Sequence, residues 1–473
     1  MRAALVALLL TGCGVPVTSM DGSIADEDAG TQSDAGTTLD AGTSQDAGAS
    51  QDAGTPQDAG TQQDAGTPSD AGIIDAGTST LAYPVGTKHS PLTNEVVAHL
   101  RAIAALNTTR APNVLSKVGD SNTVNTGYLN CFAGSSVDLA GRTSLDAALT
   151  HFRGGMVQGS SAFTRTSQSA TIGWSAQSAV AGTPSPLQQE VDTANPRYAT
   201  VMFGTNDVGF MNPDLFGRSM FTIIDTLSMQ GVVPIITSVP PRDDSTTADA
   251  WVPRYNLIAR GIAQARKIPF VDLNRELLPV PAHGLSGDGV HLSTYFTAAG
   301  ARGCVFTTAG LHFGQNVRNL ATLEALDRAW RAVETNTASD TTAPRIVGSG
   351  LPGDEVVIGS LPFVDARDTR TDGAANIASY PGCNAVQSES GREVLYRLEV
   401  TQAINLRAFV ISLGTSDVDI HLLSSPSGSA CLARSDKVLT RAMTPGTYWL
   451  SLDTFEGSSG ALPGEYLLVV MAE

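Results

Sequence analysis

Residues 113–121, NVLSKVGDS, carry a short apolar run that breaks at Gly119 and leaves Asp120 and Ser121 at its end. Three more runs of this kind follow, ATVMF at 199–203, VVPIITS at 232–238 and IPFVDL at 268–273. Between and before them lie segments of helical periodicity at 95–106, 215–229 and 255–265; in the first, Val97, Leu100 and Ala104 fall on one face. Continuous apolar strands alternating with amphipathic helices predict a parallel sheet covered by helices on both faces. Ligands of such a sheet bind beyond the carboxyl ends of its strands, so polar residues that terminate the runs are the first candidates for a site.

Outward from this region the composition changes twice. Residues 337–353 are rich in Thr, Ser, Asp, Gly and Pro and read as a linker. Their Gly348-Ser-Gly350-Leu-Pro-Gly353 matches a dinucleotide-binding pattern by letter, but Pro352 and the following Asp354–Val357 point to a turn and strand rather than a helix. From 354 to 473 the apolar period becomes two, with Val394, Tyr396, Leu398 and Val400 alternating with polar residues and similar runs at 404–413, 418–423, 447–452 and 465–471. Short strands separated by Gly/Pro/Ser turns predict a separate C-terminal antiparallel β-sandwich.

Toward the N-terminus, the triplet Asp-Ala-Gly starts at residue 28 and recurs at 34, 40, 46, 52, 58, 64 and 70, with a last copy at 75. Residues 13–80 contain twelve acidic residues and no Lys or Arg, which accounts for most of the net charge of -17. Such a segment has too few apolar side chains to offset the entropy of ordering, and it reads as a disordered tether. Residues 1–12 have Arg2 followed by a short apolar run, the pattern of an export signal rather than of a membrane span. Leu10-Thr11-Gly12-Cys13 resembles the lipobox of bacterial lipoproteins. That resemblance implies lipidation at Cys13 and a place in the cell envelope, anchored to a membrane and facing the periplasm or the exterior. The expected organisation is signal 1–12, tether 13–80, α/β domain 81–336, linker 337–353 and sandwich 354–473.

Removing Cys13 leaves Cys131, Cys304, Cys383 and Cys431, two in each folded region. In an oxidising compartment this predicts Cys131–Cys304 and Cys383–Cys431 bonds, with free buried thiols as the alternative. No basic stripe suggests a nucleic-acid partner. No CxxC or HExxH pattern is present, so neither a metal nor a cofactor is expected.

Four blocks in the α/β region carry the chemistry. They are Gly119-Asp120-Ser121, Gly173 within Thr171-Ile-Gly-Trp-Ser175, Gly204-Thr205-Asn206-Asp207, and Asp288-Gly-Val-His291 ahead of an Ala-rich stretch that reads as helical. Together, over residues 110–310, they resemble the SGNH (GDSL-like) hydrolases. The resemblance implies a three-layer α/β/α flavodoxin-like fold and a Ser121–His291–Asp288 catalytic set. An alcohol attacks an acyl carbon only when a base takes its proton; His291 would do so, with Asp288 fixing its tautomer. The oxyanion would be met by the N–H groups of Ser121 and Gly173 and by the Asn206 amide. A glycine at 173 would let the backbone come close without a Cβ. The departures from the family pattern are Thr171 and Ala176 in the second block and Asn122 after the nucleophile, where Leu is usual.

Ser175 competes for the nucleophile's role, because Gly173-Trp-Ser175-Ala-Gln177 nearly matches GxSxG; the three-residue spacing of Asp288 and His291 argues instead for Ser121. Phe210, close behind Asn206, is the aromatic residue expected to touch substrate, and His283 is read as loop decoration. In the C-terminal region, Pro445–Asp453 and Asp417–Leu422 resemble the bacterial pre-peptidase C-terminal domain. The expected function is an exported serine esterase acting, through an acyl-enzyme, on small-molecule or polysaccharide carboxylic esters, short-acyl or O-acetyl esters of carbohydrate among them. The alternative is a surface lipoprotein that binds polysaccharide or protein and carries an inactive hydrolase domain.

Overall fold

The computed structural model describes residues 81–385, 387–458 and 460–473. The segments read as export signal and tether, with Cys13, lie outside the described residues. The first sheet is parallel, with β1 (Ala111–Gly119), β2 (Pro196–Met202), β3 (Val233–Thr237) and β4 (Phe270–Val271) side by side in chain order. Every residue of β2 and β3 is buried, as expected for strands covered on both faces. On the free edge of β1, Gly119 makes a single parallel bridge to Ala170, with Gly119 N–H donating to Ser169 O at 3.0 Å and Thr171 N–H to Gly119 O at 3.2 Å. With that bridge counted as a vestigial second strand, the order is the 2-1-3-4-5 of flavodoxin-like folds.

Helices cover the sheet in two groups. One contains α1 (Asn94–Ala105), α2 (Asp146–Arg153) and α6 (Gly314–Thr335); the other contains α3 (Pro186–Ala194), α4 (Pro213–Met229) and α5 (Thr246–Ala265). Their starts follow local chemistry. Asn212 accepts from Leu215 N–H at 3.0 Å and precedes Pro213 at the first helical position; Ser245 accepts from Ala248 N–H at 3.2 Å. The Ala-rich helix expected after His291 is α6, which carries Ala321, Ala325, Ala329 and Ala332, and a small hairpin precedes it. Phe296–Thr297 and Gly300–Ala301 form a small hairpin, Gly300 takes φ +94°, and Phe296 stays exposed, so no apolar face exists there for a helix to bury.

The C-terminal region is a two-sheet antiparallel sandwich. Its strands are β5 (Val356–Ile358), β6 (Phe363–Asp368), β7 (Glu393–Val400), β8 (Ile404–Ser412), β9 (Val418–Leu423), β10 (Cys431–Ser435), β11 (Val438–Met443), β12 (Gly446–Thr454) and β13 (Glu465–Ala472). One sheet runs β6-β13-β8-β11 and the other β10-β9-β12-β7-β5, the last pair being parallel. Val394, Tyr396, Leu398 and Val400 of β7 meet Tyr466, Leu468 and Val470 of β13 in the core between the sheets.

The alternate residues of β13 have a different destination. Leu467 and Val469, with Phe409 and Ile411 of β8 and Val364 and Ala366 of β6, join the core of the α/β region. Period two splits these strands between two cores, which is why β13 is almost continuously apolar. Against them lie two helix glycines: a Cβ on Gly217 of α4 would come within 2.5 Å of Ile411 Cδ1, and one on Gly261 of α5 within 2.8 Å of Leu467 Cδ1. The contact is also ionic, because Arg266 at the end of α5 bonds both Asp225 and Glu465. Residues 337–353 are tied down as well: Asp340 accepts from Leu92 N–H at 2.8 Å, and Ile346 enters the sandwich core.

Both cysteine pairs are bonded, Cys131 to Cys304 with Cα atoms 5.7 Å apart and Cys383 to Cys431 with Cα atoms 5.2 Å apart.

Candidate active site

Strand β1 ends at Gly119, and the chain turns at once into a single helical turn, Ser121–Val124. Asp120 caps it, accepting from Asn122 N–H at 3.0 Å. Burial raises the Asp120 carboxyl above the ordinary carboxylate range, against the pull of the Arg318 charge. Ser121 occupies the first position of the turn, where an N–H has no helical carbonyl to reach.

Asn122, a departure in the sequence, is the residue whose role the motif did not reveal. It is fully buried; its Oδ1 accepts from Leu292 N–H at 3.1 Å and its Nδ2 donates to Val290 O at 3.4 Å. The two bonds grip the backbone on either side of His291. A Leu here would fill space but could make neither bond. Beneath the turn, the buried Arg318 donates to Asn122 O at 2.7 Å and lies over the Tyr128 ring at 3.6 Å.

The 286–291 segment closes on itself. Ser286 N–H donates to His291 O at 2.7 Å, and the single proton of the Ser286 hydroxyl has two acceptors within reach, Asp288 Oδ1 at 2.8 Å and His291 O at 2.9 Å. The same carboxylate oxygen accepts from Val290 and His291 N–H, each at 3.0 Å, while Oδ2 lies 2.6 Å from His291 Nδ1. Slight burial opposes ionisation of Asp288, but the His291 N–H and imidazole, the Val290 N–H and the Ser286 hydroxyl outweigh it. The carboxyl is held well below its usual range. An ionised acceptor at Nδ1 selects the tautomer with its proton there and leaves the Nε2 lone pair free. Nε2 sits 2.8 Å from Ser121 Oγ. The structure thus joins Ser121, His291 and Asp288 in one hydrogen-bonded chain.

Gly173 lies in a turn after the edge bridge with φ +79°, and a Cβ placed on it would meet nothing within 4 Å. The glycine therefore serves the left-handed backbone and not a close approach of neighbouring atoms. Asn206, in the turn that follows β2, donates one amide hydrogen to Trp174 O at 2.8 Å, which ties the 173–175 turn to its own; the second amide hydrogen has no acceptor among the described residues. Asp207 is buried behind it and accepts from Ala176 N–H at 3.0 Å. Burial, with Asp120 nearby, pushes its carboxyl up to about 7.

Around these groups the surface is apolar on one side and charged on the other. Ile172, Phe210 and Met211 are 72%, 64% and 48% exposed beside the Gly173 and Asn206 turns. Asp288, Asp243 and Asp244 are exposed on the His291 side, where His283 Nδ1 lies 2.9 Å from Asp243 Oδ1. His283 is thus engaged with Asp243, apart from the Ser121–His291 chain. Ser175 begins the Ala176–Val180 turn and its hydroxyl pairs with Ser178 at 3.4 Å, with no hydrogen bond to a histidine among the described residues. No group of three or more His, Cys, Asp or Glu side chains among the described residues is arranged to hold a metal ion.

Residues 117–301 match the family of GDSL-like lipases and acylhydrolases. No curated protein matches the chain. Among solved structures, a catalytic mutant of an acetylxylan esterase from Geobacillus stearothermophilus is 16% identical, covering 45% of this chain and 93% of its own, with a TM-score of 0.29. A GDSL-like lipase from Bacteroides thetaiotaomicron is 17% identical, covering 50% of this chain and 98% of its own, with a TM-score of 0.29. An α/β hydrolase from the metagenome of Lake Arreo, Spain, is 17% identical, covering 45% and 94%, with a TM-score of 0.30. At these identities and scores the likeness assigns no activity.

Proposed function

We propose that this chain is an exported, lipid-anchored serine esterase whose nucleophile is Ser121. The observation that carries the reading is the chain of contacts from Ser121 Oγ to His291 Nε2 at 2.8 Å and from His291 Nδ1 to Asp288 at 2.6 Å, ending on a strongly hydrogen-bonded carboxylate. His291 Nε2 takes the hydroxyl proton as Oγ adds to the ester carbonyl carbon, and Asp288 stabilises the imidazolium formed. The carbonyl oxygen becomes an anion facing the Ser121 and Gly173 N–H groups and the free Asn206 amide hydrogen. Collapse breaks the bond to the alcohol, which leaves with the proton from His291. Water then adds to the acyl-enzyme with the same base, releasing the acid and restoring Ser121.

The imidazole delivers a proton to the leaving alcohol, so the alcohol lies on the charged His291 side and the acyl group toward Ile172 and Phe210. That division favours a polyhydroxylated alcohol such as a carbohydrate, and because no long apolar segment lies between the sequence blocks to cover a long chain, we read the acyl group as short, acetyl among the candidates. Export and lipidation rest on residues 1–13 alone, and Cys13→Ala is expected to move the protein from the membrane to the soluble fraction.

The test is turnover of p-nitrophenyl acetate by the intact protein beside Ser121→Ala. The substitution should lower kcat/KM by a factor on the order of 10³–10⁶, with residual activity from the oxyanion donors. Equal turnover by the two proteins would remove Ser121 as nucleophile. A series of nitrophenyl esters should fall in kcat/KM as the acyl chain lengthens, and acetylated glycans should release acetate.

A further inference from the structure

The two halves of the site hang from different strand ends: Asn206 follows β2, and the 286–291 segment lies beyond β4. Between them runs the short segment after β3, Val239-Pro240-Pro241-Arg242-Asp243-Asp244, which touches both. The Arg242 guanidinium donates to Thr205 O, the carbonyl of the residue immediately before Asn206. Asp244 holds that guanidinium from the other side in a two-point pair, Nε to Oδ1 at 2.7 Å and Nη2 to Oδ2 at 2.9 Å. The Arg242 backbone N–H is anchored in turn on Asp249 in the first turn of α5, at 3.0 Å. On the far side, Asp243 N–H donates to Gly289 O at 2.9 Å, between Asp288 and His291. The fit there is close, since a Cβ on Gly289 would lie 2.7 Å from Asp244 N.

We propose that Arg242 is a positioning residue for the oxyanion half of the site: by fixing the Thr205 carbonyl it orients the Thr205–Asn206 peptide and holds the Asn206 amide toward Ser121. The inference rests on the serine-esterase reading above and adds a residue to it that no sequence block contains. The guanidinium is suited to the task because its planar fork can grip a carboxylate at two points and still aim a donor at a backbone carbonyl. Its side chain is only 14% exposed, so water cannot readily replace it on Thr205 O. An oxyanion donor displaced by a fraction of an ångström loses its advantage in the transition state while leaving ground-state binding alone.

The experiment is a double-mutant cycle on the intact protein. Arg242→Ala should lower kcat by about 10–100-fold with KM changed by less than about twofold, and Arg242→Lys should recover part of the loss. In an Asn206→Ala background, Arg242→Ala should cost less than about threefold, because its target is gone. An equal cost in both backgrounds, a change in KM alone, or no change at all would overturn the proposal. Where Arg242→Ala fails to fold, Asp244→Asn loosens the same guanidinium, and the same cycle applies. Failure of wild type to cleave any ester would sink the esterase reading, not this one. The rate at which a fluorophosphonate labels Ser121 then reads the cycle, since labelling needs the base and the oxyanion donors but no ester; identical rates for wild type and Arg242→Ala would count against the brace.

Discussion

Two of the histidines that lie beside carboxylates, His291 and His421, have opposite surroundings. His291 is half-buried and Asp288 exposed, the two lie 2.6 Å apart, and the carboxylate accepts from three further donors. His421 of β9 is completely buried, stacks on the Tyr380 ring at 3.5 Å, and finds no hydrogen-bond partner for either ring nitrogen among the described residues; its Nε2 is 3.9 Å from Glu389 Oε1. Donors hold Asp288 ionised. Burial pushes Glu389 up to about 8 and Asp453 up to about 9, and burial with Arg434 lowers His421 to about 3. One pair can accept and return a proton; the other group is kept neutral. Residue type does not make a proton relay, whereas solvent and donors do.

Breaking the two groups in parallel should give the largest contrast. Asp288→Asn should lower kcat/KM by about 10²–10⁴-fold, through loss of the correct tautomer and of imidazolium stabilisation. Asp453→Asn should leave turnover within about twofold of wild type. Steady-state kinetics on one nitrophenyl ester checks both, and equal losses would end the distinction.

The first group was legible in the sequence and the second was not, for physical reasons. Gly119-Asp120-Ser121 and Asp288–His291 are contiguous motifs whose chemistry depends on local spacing and on the strand end that carries them. The alternation of apolar runs also exposed the parallel sheet and the sandwich. Glu389, His421, Asp453 and Tyr380 are scattered over the C-terminal region, and only register and a covering loop bring them together. Asn122 and Arg242 escaped for a similar reason, since their partners are backbone atoms of distant segments, and backbone has no letter in a sequence. The joining of the two domains left one trace, the nearly continuous apolar run of β13, which indicates burial on both faces without naming what covers the second.

The second disulfide separates the groups by stability. Cys383 lies in the segment that bears Tyr380 and Glu389, and its bond to Cys431 closes a 48-residue separation. Replacing both cysteines by serine should cost about 2–4 kcal/mol in denaturant unfolding and leave ester turnover unchanged. A parallel loss of turnover would mean that the sandwich reports to the site through α4 and α5.

A smaller effect lies in the pH dependence of stability. Unfolded carboxyls lose their protons near about pH 4, whereas folded Glu389 and Asp453 keep theirs to about 8 and about 9. Between pH 7 and 9 the folded state therefore binds more protons than the unfolded one, and stability falls as pH rises. His421, with its pKa lowered, gives the opposite slope, but only below its ordinary value of 6.5, outside this window. The melting temperature should drop by several °C from pH 7 to pH 9, on the order expected for a few kcal/mol in a domain of this size, and by less in Asp453→Asn. A flat wild-type profile would show that these carboxyls are ionised throughout.

The smallest expected effect concerns Ser286, whose hydroxyl donates to Asp288 Oδ1 at 2.8 Å. Asp288 keeps two backbone donors and the imidazole when that hydroxyl is removed, and its carboxylate is 49% exposed, so water can take the vacated place. Ser286→Ala should therefore lower kcat only about two- to fivefold, below the span of a fully counted charged hydrogen bond. Ser451, whose hydroxyl lies 2.8 Å from Tyr380 OH in a buried setting, has no such substitute. If Ser286→Ala instead matched the loss in Asp288→Asn, the carboxylate would depend on one donor rather than on several, and the openness that distinguishes this site from the sandwich cluster would not be what keeps it ionised.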